Sequence, residues 1–403
     1  MIKRTVISLE QALSLPSATL RFAQLGWRVI RIESTPHGDN PPGDPNRYVG
    51  STFLDDDRRS NFIAPAVGKE CVALNLKDPH GQKILHRMIE ELDVDIFCCN
   101  TLPGRYQDLG IDYETLSAIK PDLIWAGISA MGPDYPYAPG YDPVIQAMAG
   151  IMELTGEPDG PPTLAGIPLT DLKAGDEVYA NVALALAERA ETGMGMRIDV
   201  SMLQASASWL ILHLQLLNFN PDAAEITRTG SQNINYIPTD IFKTIDGYIY
   251  IAIGTDIQWK RLVSLPIFAS ASNEVRFTYA GRHVQRKAIY EDLHKLTQQH
   301  RTQEITEELE NAKIPFGAVN TLKQVAKLEA IKHKLTRTKL PDGKTIYLQP
   351  PAVSLKGLKT ELSFSPKYGE HTDEILKETG YGQEEIEQLK VDKIVVGPEY
   401  WSE

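Results

Sequence analysis

The stretch CVALNLKDPHGQKILHRMIEELDVDIFCC, residues 71–99, sets two short apolar runs around one helical pattern. The runs at 71–76 and 94–99 are almost continuously apolar, which is how strands covered on both faces of a sheet read. Between them Asp78 precedes Pro79, an N-cap residue followed by the residue favoured at the first helical position, and predicts a helix over Pro79–Glu91. A strand, a helix and a second strand packed into so short a span make a βαβ unit with parallel strands. Working outward, apolar runs at 6–9, 28–32 and 123–129 alternate with helical stretches at 16–25 and 113–119. The first half therefore predicts an α/β, Rossmann-like sheet with helices on both faces.

No GxGxxG follows any of these strands. Gly193-Met194-Gly195 closes a helix rather than opening one, so a nicotinamide dehydrogenase has no phosphate loop here. From 132 to 142 (GPDYPYAPGYD) and from 155 to 168 (TGEPDGPPTLAGIP) the chain turns rich in Pro and Gly, marking long loops beyond the last strand. In doubly wound folds such loops build the site. A long helix is predicted at 173–190, ended by Gly193, and a second at 202–217. The WLILHLQLL core of the second is apolar almost all round and predicts burial. The segment 227–325 has a different texture, with two strands joined through Asp246-Gly247 and helices at 257–264, 285–298 and 302–312. A strand at 345–348 and helices at 372–378 and 384–389 finish the chain. The predicted division is a large Rossmann-like domain over 1–224, completed by 331–403, with a small α+β domain over 225–330.

The 403 residues carry 41 Lys+Arg against 53 Asp+Glu, a net charge of −12. That sign disfavours a dedicated nucleic-acid or anionic-membrane protein, which needs a cationic face. Hydrophobic content of 42% and charged content of 23% are globular values and exclude wholesale disorder. No apolar run reaches membrane-spanning length, and the start turns polar by Ser8 instead of forming a secretory h-region. Three cysteines make no disulfide framework. Cys71, Cys98 and Cys99 read as buried strand residues, and the chain as cytoplasmic. The histidines show no metal-ligand pairing, so no metal is expected, and His213 reads as a core histidine.

Asp171 opens the long helix, where a carboxylate is stabilised by the backbone N–H groups and the helix dipole. Its spacing is equally that of a plain helix cap, a role open to Thr170 as well. Asp176 and Glu177 read as a solvated face. Lys77 follows a strand and suits a phosphate or simple surface exposure. Asn100 ends the next strand, ahead of Thr101 to Arg105. Together these positions suggest an anionic, nucleotide-like ligand across the carboxyl edge of the sheet, and the residues alone go no further.

Several ordered blocks resemble the class III CoA-transferases, the family of formyl-CoA and carnitine CoA-transferases. They are NTLPGRYQDLGIDYETL (100–116), KPDLIWAGISAMG (120–132), APGYDPVIQAMAGIMELTG (138–156), PLTDLKAG (168–175) and ALAERAETGMGMRIDVSMLQA (185–205), followed by GSQNINYIPTDIFKTIDGYIYIAIGTDIQW (230–259) and YGEHTDEILKETGYGQEEIEQL (368–389). The resemblance implies that Asp171 is a nucleophile carrying first an acyl group and then CoA, kept charged beforehand by the helix N-terminus. It implies CoA contacts at Ala12, Leu13, Leu74, Lys77, Asn100, Thr101 and Leu102, with CoA thioesters as substrates and no permanently bound cofactor. Leu13 stands where formyl-CoA transferase has glutamine. Ser34 replaces an arginine and Asp108 a basic residue, for which Arg105 compensates. It further implies an interlocked, ring-like dimer, as a homodimer or a heteromer with a related subunit. Succinyl-CoA is the expected donor. The more apolar Leu13 and Leu15 suggest an aryl-substituted acceptor such as benzylsuccinate. Two other readings remain: a binding or scaffold subunit of a heteromeric transferase, and an α-methylacyl-CoA racemase. The racemases look for histidine where this chain has Tyr141, in Gly140-Tyr141-Asp142, and an unperturbed tyrosine is a poor base near neutrality.

Overall fold

A computed structural model of the chain describes residues 2–39, 41–52, 54–55, 57–219 and 226–401. The predicted βαβ unit is present and sits inside a larger sheet. Its strands are β1 (Thr5–Leu9), β2 (Arg28–Glu33), β3 (Glu70–Leu74), β4 (Ile96–Cys99), β5 (Ile124–Ser129) and β6 (Arg197–Ser201). They run parallel in the order β3-β2-β1-β4-β5-β6, and the C-terminal strand Val395–Val396 pairs antiparallel beside β3. The order reverses between β1 and β4, the switch point of a doubly wound sheet.

The helices that follow these strands are α1 (Ser14–Gln24), α2 (Ser60–Ala66), α3 (Pro79–Glu91), α4 (Tyr113–Ile119), α5 (Asp142–Met148), α6 (Ile151–Leu154), α7 (Leu169–Thr192) and α8 (Met202–Ala207). The Asp78 carboxylate accepts the His80 N–H at 2.8 Å, so the predicted N-cap of α3 is made. One face of the sheet packs Ile30, Ile32, Val72 and Phe97 against Leu85, Met88 and Ile89 of α3. The other packs Val6, Ile96 and Ile124 against Ala18 and Phe22 of α1 and Ala174, Val178 and Val182 of α7. Each buried side chain of this size contributes about 1.5–3 kcal/mol. All three cysteines are free and buried in β3 and β4.

Two compact units divide the chain. The larger comprises Met1–Gly150, Ala165–Phe219 and His333–Glu403, and the smaller Ile151–Leu164 and Asn220–Lys332. The segment Ile151–Leu164, expected in the large domain, groups with the smaller unit, and the expected boundary at 224/225 lies outside the described residues. The smaller unit carries the antiparallel sheet β7 (Thr239–Lys243), β8 (Tyr248–Ala252) and β9 (Phe316–Ala318). Lys243 pairs with Tyr248, so the hairpin expected at Asp246-Gly247 closes through residues 244–247. Among the described residues, no helix is long and apolar enough to cross a membrane.

Two expectations fail. The helix expected over 202–217 stops at Ala207 and continues as two 3₁₀ turns, Ser208–Leu212 and Leu214–Asn218. Its apolar side chains stand exposed: Ile211 at 75%, Leu212 at 68% and Phe219 at 82%. His213 among them is only half-buried, not a core residue. An all-round apolar pattern does not by itself guarantee burial within one chain. The second failure is β2, read as apolar. Arg31 and Glu33 are buried within it, in a polar layer with Glu10, Asp44, Arg47, Asp57 and Lys69. Arg31 meets Glu33 at 2.8 Å and Asp44 at 2.9 Å, Arg47 meets Glu33 at 2.7 Å, and Lys69 meets Glu10 at 2.7 Å. Burial pulls the Lys69 ammonium down to about 8. For Glu10, burial acts upward but Lys69 and Arg31 outweigh it and hold its carboxyl low.

Removing one member of such a pair strands the other in the interior. Lys69→Met is expected to cost the large unit about 3–5 kcal/mol. Lys120→Met, which breaks pairs with the exposed Asp93 and with Asp122, should cost no more than about 1 kcal/mol. Urea unfolding of the two variants checks this, and equal losses would contradict the buried pairing.

Candidate active site

The carboxyl ends of β1 to β4 border a cleft of about 590 Å³. Ligands bind at such ends near the switch point, where strand termini diverge and leave backbone groups unpaired. Of the expected CoA contacts, Leu74, Lys77, Thr101, Leu102 and Arg105 line the cleft, and Ala12, Leu13 and Asn100 do not. Lys77 and Arg105 are exposed and have no ion-pair partner among the described residues, so both cations stay available to an anion. Ser34 lines the cleft from the end of β2, and Asp108 lies outside the lining.

Asn100 spends its side chain on the chain itself. Its Oδ1 accepts the Gln11 N–H at 3.0 Å, and its Nδ2 donates to the Gln11 carbonyl at 2.8 Å and to Ser14 Oγ at 3.3 Å. The β1–α1 turn held in this way contributes Glu10 and Gln11 to the lining. Leu13 is half-buried and Leu15 lies in the core, so the two do not form an apolar mouth.

Asp171 lies in the first turn of α7. Neither it nor Thr170 caps the helix. Asp142, from the first turn of α5, provides that carboxylate. Its Oδ1 accepts the Thr170 N–H at 2.7 Å, the Thr170 hydroxyl at 2.6 Å and the Asp171 N–H at 3.3 Å, and Gln146 Nε2 donates to its other oxygen at 2.6 Å. The donors at the helix N-terminus are thereby consumed by a neighbour. The Asp171 carboxyl has no hydrogen-bond partner among the described residues. Burial, and then the Asp142 charge, push it up to about 7. The expectation that the helix end keeps Asp171 charged is corrected here: the cap goes to Asp142, and Asp171 is left poorly solvated.

One glycine brings the two helix starts together. A Cβ on Gly175, one turn beyond Asp171, would meet the Ser14 carbonyl at 2.6 Å, so only glycine lets α7 approach the start of α1 this closely. Ser14 in turn contacts Asn100 beside the cleft. Asp176 is exposed, as expected of a solvated face, and pairs with Arg21, while the half-buried Glu177 pairs with Lys173. Tyr141 is 74% exposed, unlike a base shielded in a pocket.

The family model for CoA-transferase family III matches residues 3–372. The chain belongs to CoA-transferase family III. A mouse protein named succinyl-CoA:glutarate CoA-transferase is 28% identical over 400 residues, covering 97% of this chain and 89% of the relative. The Agrobacterium fabrum succinate–glutarate CoA-transferase is 30% identical, covering 93% of this chain and 94% of its own. A crystal structure of a CAIB/BAIF family protein from Brucella suis superposes with a TM-score of 0.81 at 29% identity, covering 93% and 98% of the two chains.

This family III CoA-transferase thus carries Asp171 in a setting that sequence reasoning missed. Asp142 is in the sequence as Asp142-Pro143, the same pair that marks the start of α3 at Asp78-Pro79. A third such pair, Asp44-Pro45, brings Asp44 to the cleft lining. The dipeptide signal was legible, but not the partner 28 residues away that Asp142 caps.

A carboxyl raised to about 7 keeps a proton that the unfolded chain, near its usual 3.8, releases. Between those values the folded state binds more protons, so stability falls as pH rises through about 7. Asp171→Asn removes that cost. It should raise the melting temperature by about 2–4 °C at alkaline pH, the shift expected of roughly 1 kcal/mol, and the gain should shrink on acidification below 7. A pH-independent difference would contradict the electrostatics described here.

Proposed function

We propose that this transferase moves CoA from succinyl-CoA to an aliphatic dicarboxylate such as glutarate, with Asp171 as the covalent carrier. The observation that carries the reading is the Asp171 carboxyl itself: half-buried, without a hydrogen bond among the described residues, and held in the first turn of α7, which packs against the start of α1 at Gly175. A carboxylate released from water and hydrogen bonding is the more reactive nucleophile. The names of the glutarate-using relatives support the acceptor class. The aryl-substituted acceptor loses its motivation, because Leu15 is a core residue and Leu13 does not line the cleft.

In the proposed sequence an Asp171 oxygen attacks the succinyl thioester carbonyl. The C–S bond breaks, leaving a mixed anhydride and CoA thiolate. The thiolate attacks the aspartyl carbonyl, expelling succinate and forming an aspartyl-CoA thioester. The acceptor carboxylate then attacks this thioester and releases the thiolate a second time. Thiolate attack on the acceptor carbonyl yields the new acyl-CoA and frees Asp171. Lys77 and Arg105 would hold phosphates of CoA through charge-assisted hydrogen bonds, while Leu74 and Leu102 offer apolar surface to the rest of the coenzyme. An interlocked dimer belongs to the same reading, and the exposed run from Trp209 to Phe219 supports it, since among the described residues of one chain nothing covers most of those side chains.

The test is a panel of acyl-CoA donors against mono- and dicarboxylic acids, with products resolved by mass. Succinyl-CoA with glutarate should turn over, and kcat/KM should rise with pH along a limb near 7. Asp171→Ala should lower kcat by about a thousandfold or more. Sustained turnover in that variant would contradict the mechanism.

A further inference from the structure

The β1–α1 turn is gripped from two sides, and only one grip comes from the sheet. On one side is Asn100, at the end of β4. On the other is Asp44, 2% exposed, which belongs to the loop that leaves β2 and lines the cleft itself. Asp44 Oδ1 accepts the Ala12 N–H at 3.0 Å and the Asn46 N–H at 2.9 Å, while Oδ2 accepts from the Arg31 guanidinium at 2.9 Å. Ala12 has φ of 58°, a left-handed conformation that an alanine holds only where its surroundings enforce it.

The carboxylate is itself fixed. Arg31 is 1% exposed at its side chain and held by Glu33 at 2.8 Å, and the Asp44 N–H donates to Glu33 at 3.0 Å. Gly43, with φ of 77°, leaves no room for a side chain, because a Cβ there would lie 2.2 Å from Glu33 Oε2. One buried oxygen thus ties two walls of the cleft together: the wall from β2, with Ser34, Thr35 and Asp44, and the wall from β1, with Glu10 and Gln11.

We propose that Asp44 is a positioning residue for coenzyme binding, which fixes the β1–α1 turn against the cleft through the Ala12 amide. This rests on the reading that the cleft takes the coenzyme. Asp44 touches no reacting atom. Its effect is on where Gln11 and the backbone beside it stand when CoA arrives, so it acts on affinity and not on the chemical steps at Asp171.

Calorimetric titration of the full chain with CoA, alongside melting temperature, separates this role from plain structural support. Asp44→Ala loses both the turn and Arg31, and should weaken CoA binding by about tenfold while lowering the melting temperature. Asp44→Asn keeps an oxygen for Ala12 but turns an NH₂ toward Arg31. It should lower the melting temperature comparably, yet weaken CoA by less than about threefold. Equal affinity losses in the two variants, or no loss in either, would overturn the proposal. If Asp44→Ala does not fold, Asp44→Glu decides. It keeps the charge for Arg31 but moves the acceptor by one methylene, and unchanged CoA affinity there would overturn the proposal. Wild-type protein that binds no CoA would overturn the reading of the cleft itself, an outcome distinct from any pattern among the variants.

Discussion

One carboxylate, Asp142 at the start of α5, caps the helix whose first turn holds another, Asp171 of α7, and helps set its charge. Asp142 takes the N–H groups of Thr170 and Asp171 that a helix N-terminus otherwise offers to its own first-turn acid. Asp171 is left next to a negative charge, half-buried, and without a donor among the described residues. A helix end ordinarily lowers a carboxyl pKa, but here burial and Asp142 raise it. The raised pKa of Asp171 therefore comes first from partial burial and second from a contact between α5 and α7.

The cleft depends on a second set of buried charges. Glu10, Arg31, Glu33, Asp44, Arg47 and Lys69 form a polar layer at the carboxyl ends of β1 and β2, where a doubly wound sheet binds its ligand. Such a layer is poor evidence for stability, since well-packed apolar residues of the same size often do as well. It does fix geometry. The Asp44 carboxylate and the Asn100 amide place the β1–α1 turn, Ser14 meets Asn100, and Gly175 sets the start of α7 against Ser14. The cleft and Asp171 are thus linked through packed backbone within one unit.

The sequence disclosed what is local. Apolar runs marked five of the six parallel strands but not β6, Asp78-Pro79 marked the start of α3, and Asp246-Gly247 marked the β7–β8 hairpin. Five of the eight coenzyme contacts that the family resemblance implies line the cleft, and of these only Lys77 and the Thr101–Arg105 loop also stood out from their place after a strand. What stayed hidden is nonlocal. Arg31 and Glu33 sit in a run that alternates with Val29, Ile30 and Ile32, and their partners lie up to dozens of residues away. Asp142 and Asp44 share a helix-start signature with Asp78, yet each directs its carboxylate to a distant amide. The 209–217 run looked like core because an apolar pattern does not say whether the side chains are covered, and here they stand exposed.

The central claim is that Asp171 becomes covalently loaded during turnover. Acid quenching of the protein at steady state with succinyl-CoA, followed by proteolysis and mass analysis, tests it most directly. The account predicts that the peptide containing Asp171 carries the mass of CoA as a thioester, and that added hydroxylamine discharges it. A CoA adduct on another residue, or an unmodified Asp171 peptide while product continues to accumulate, would contradict it.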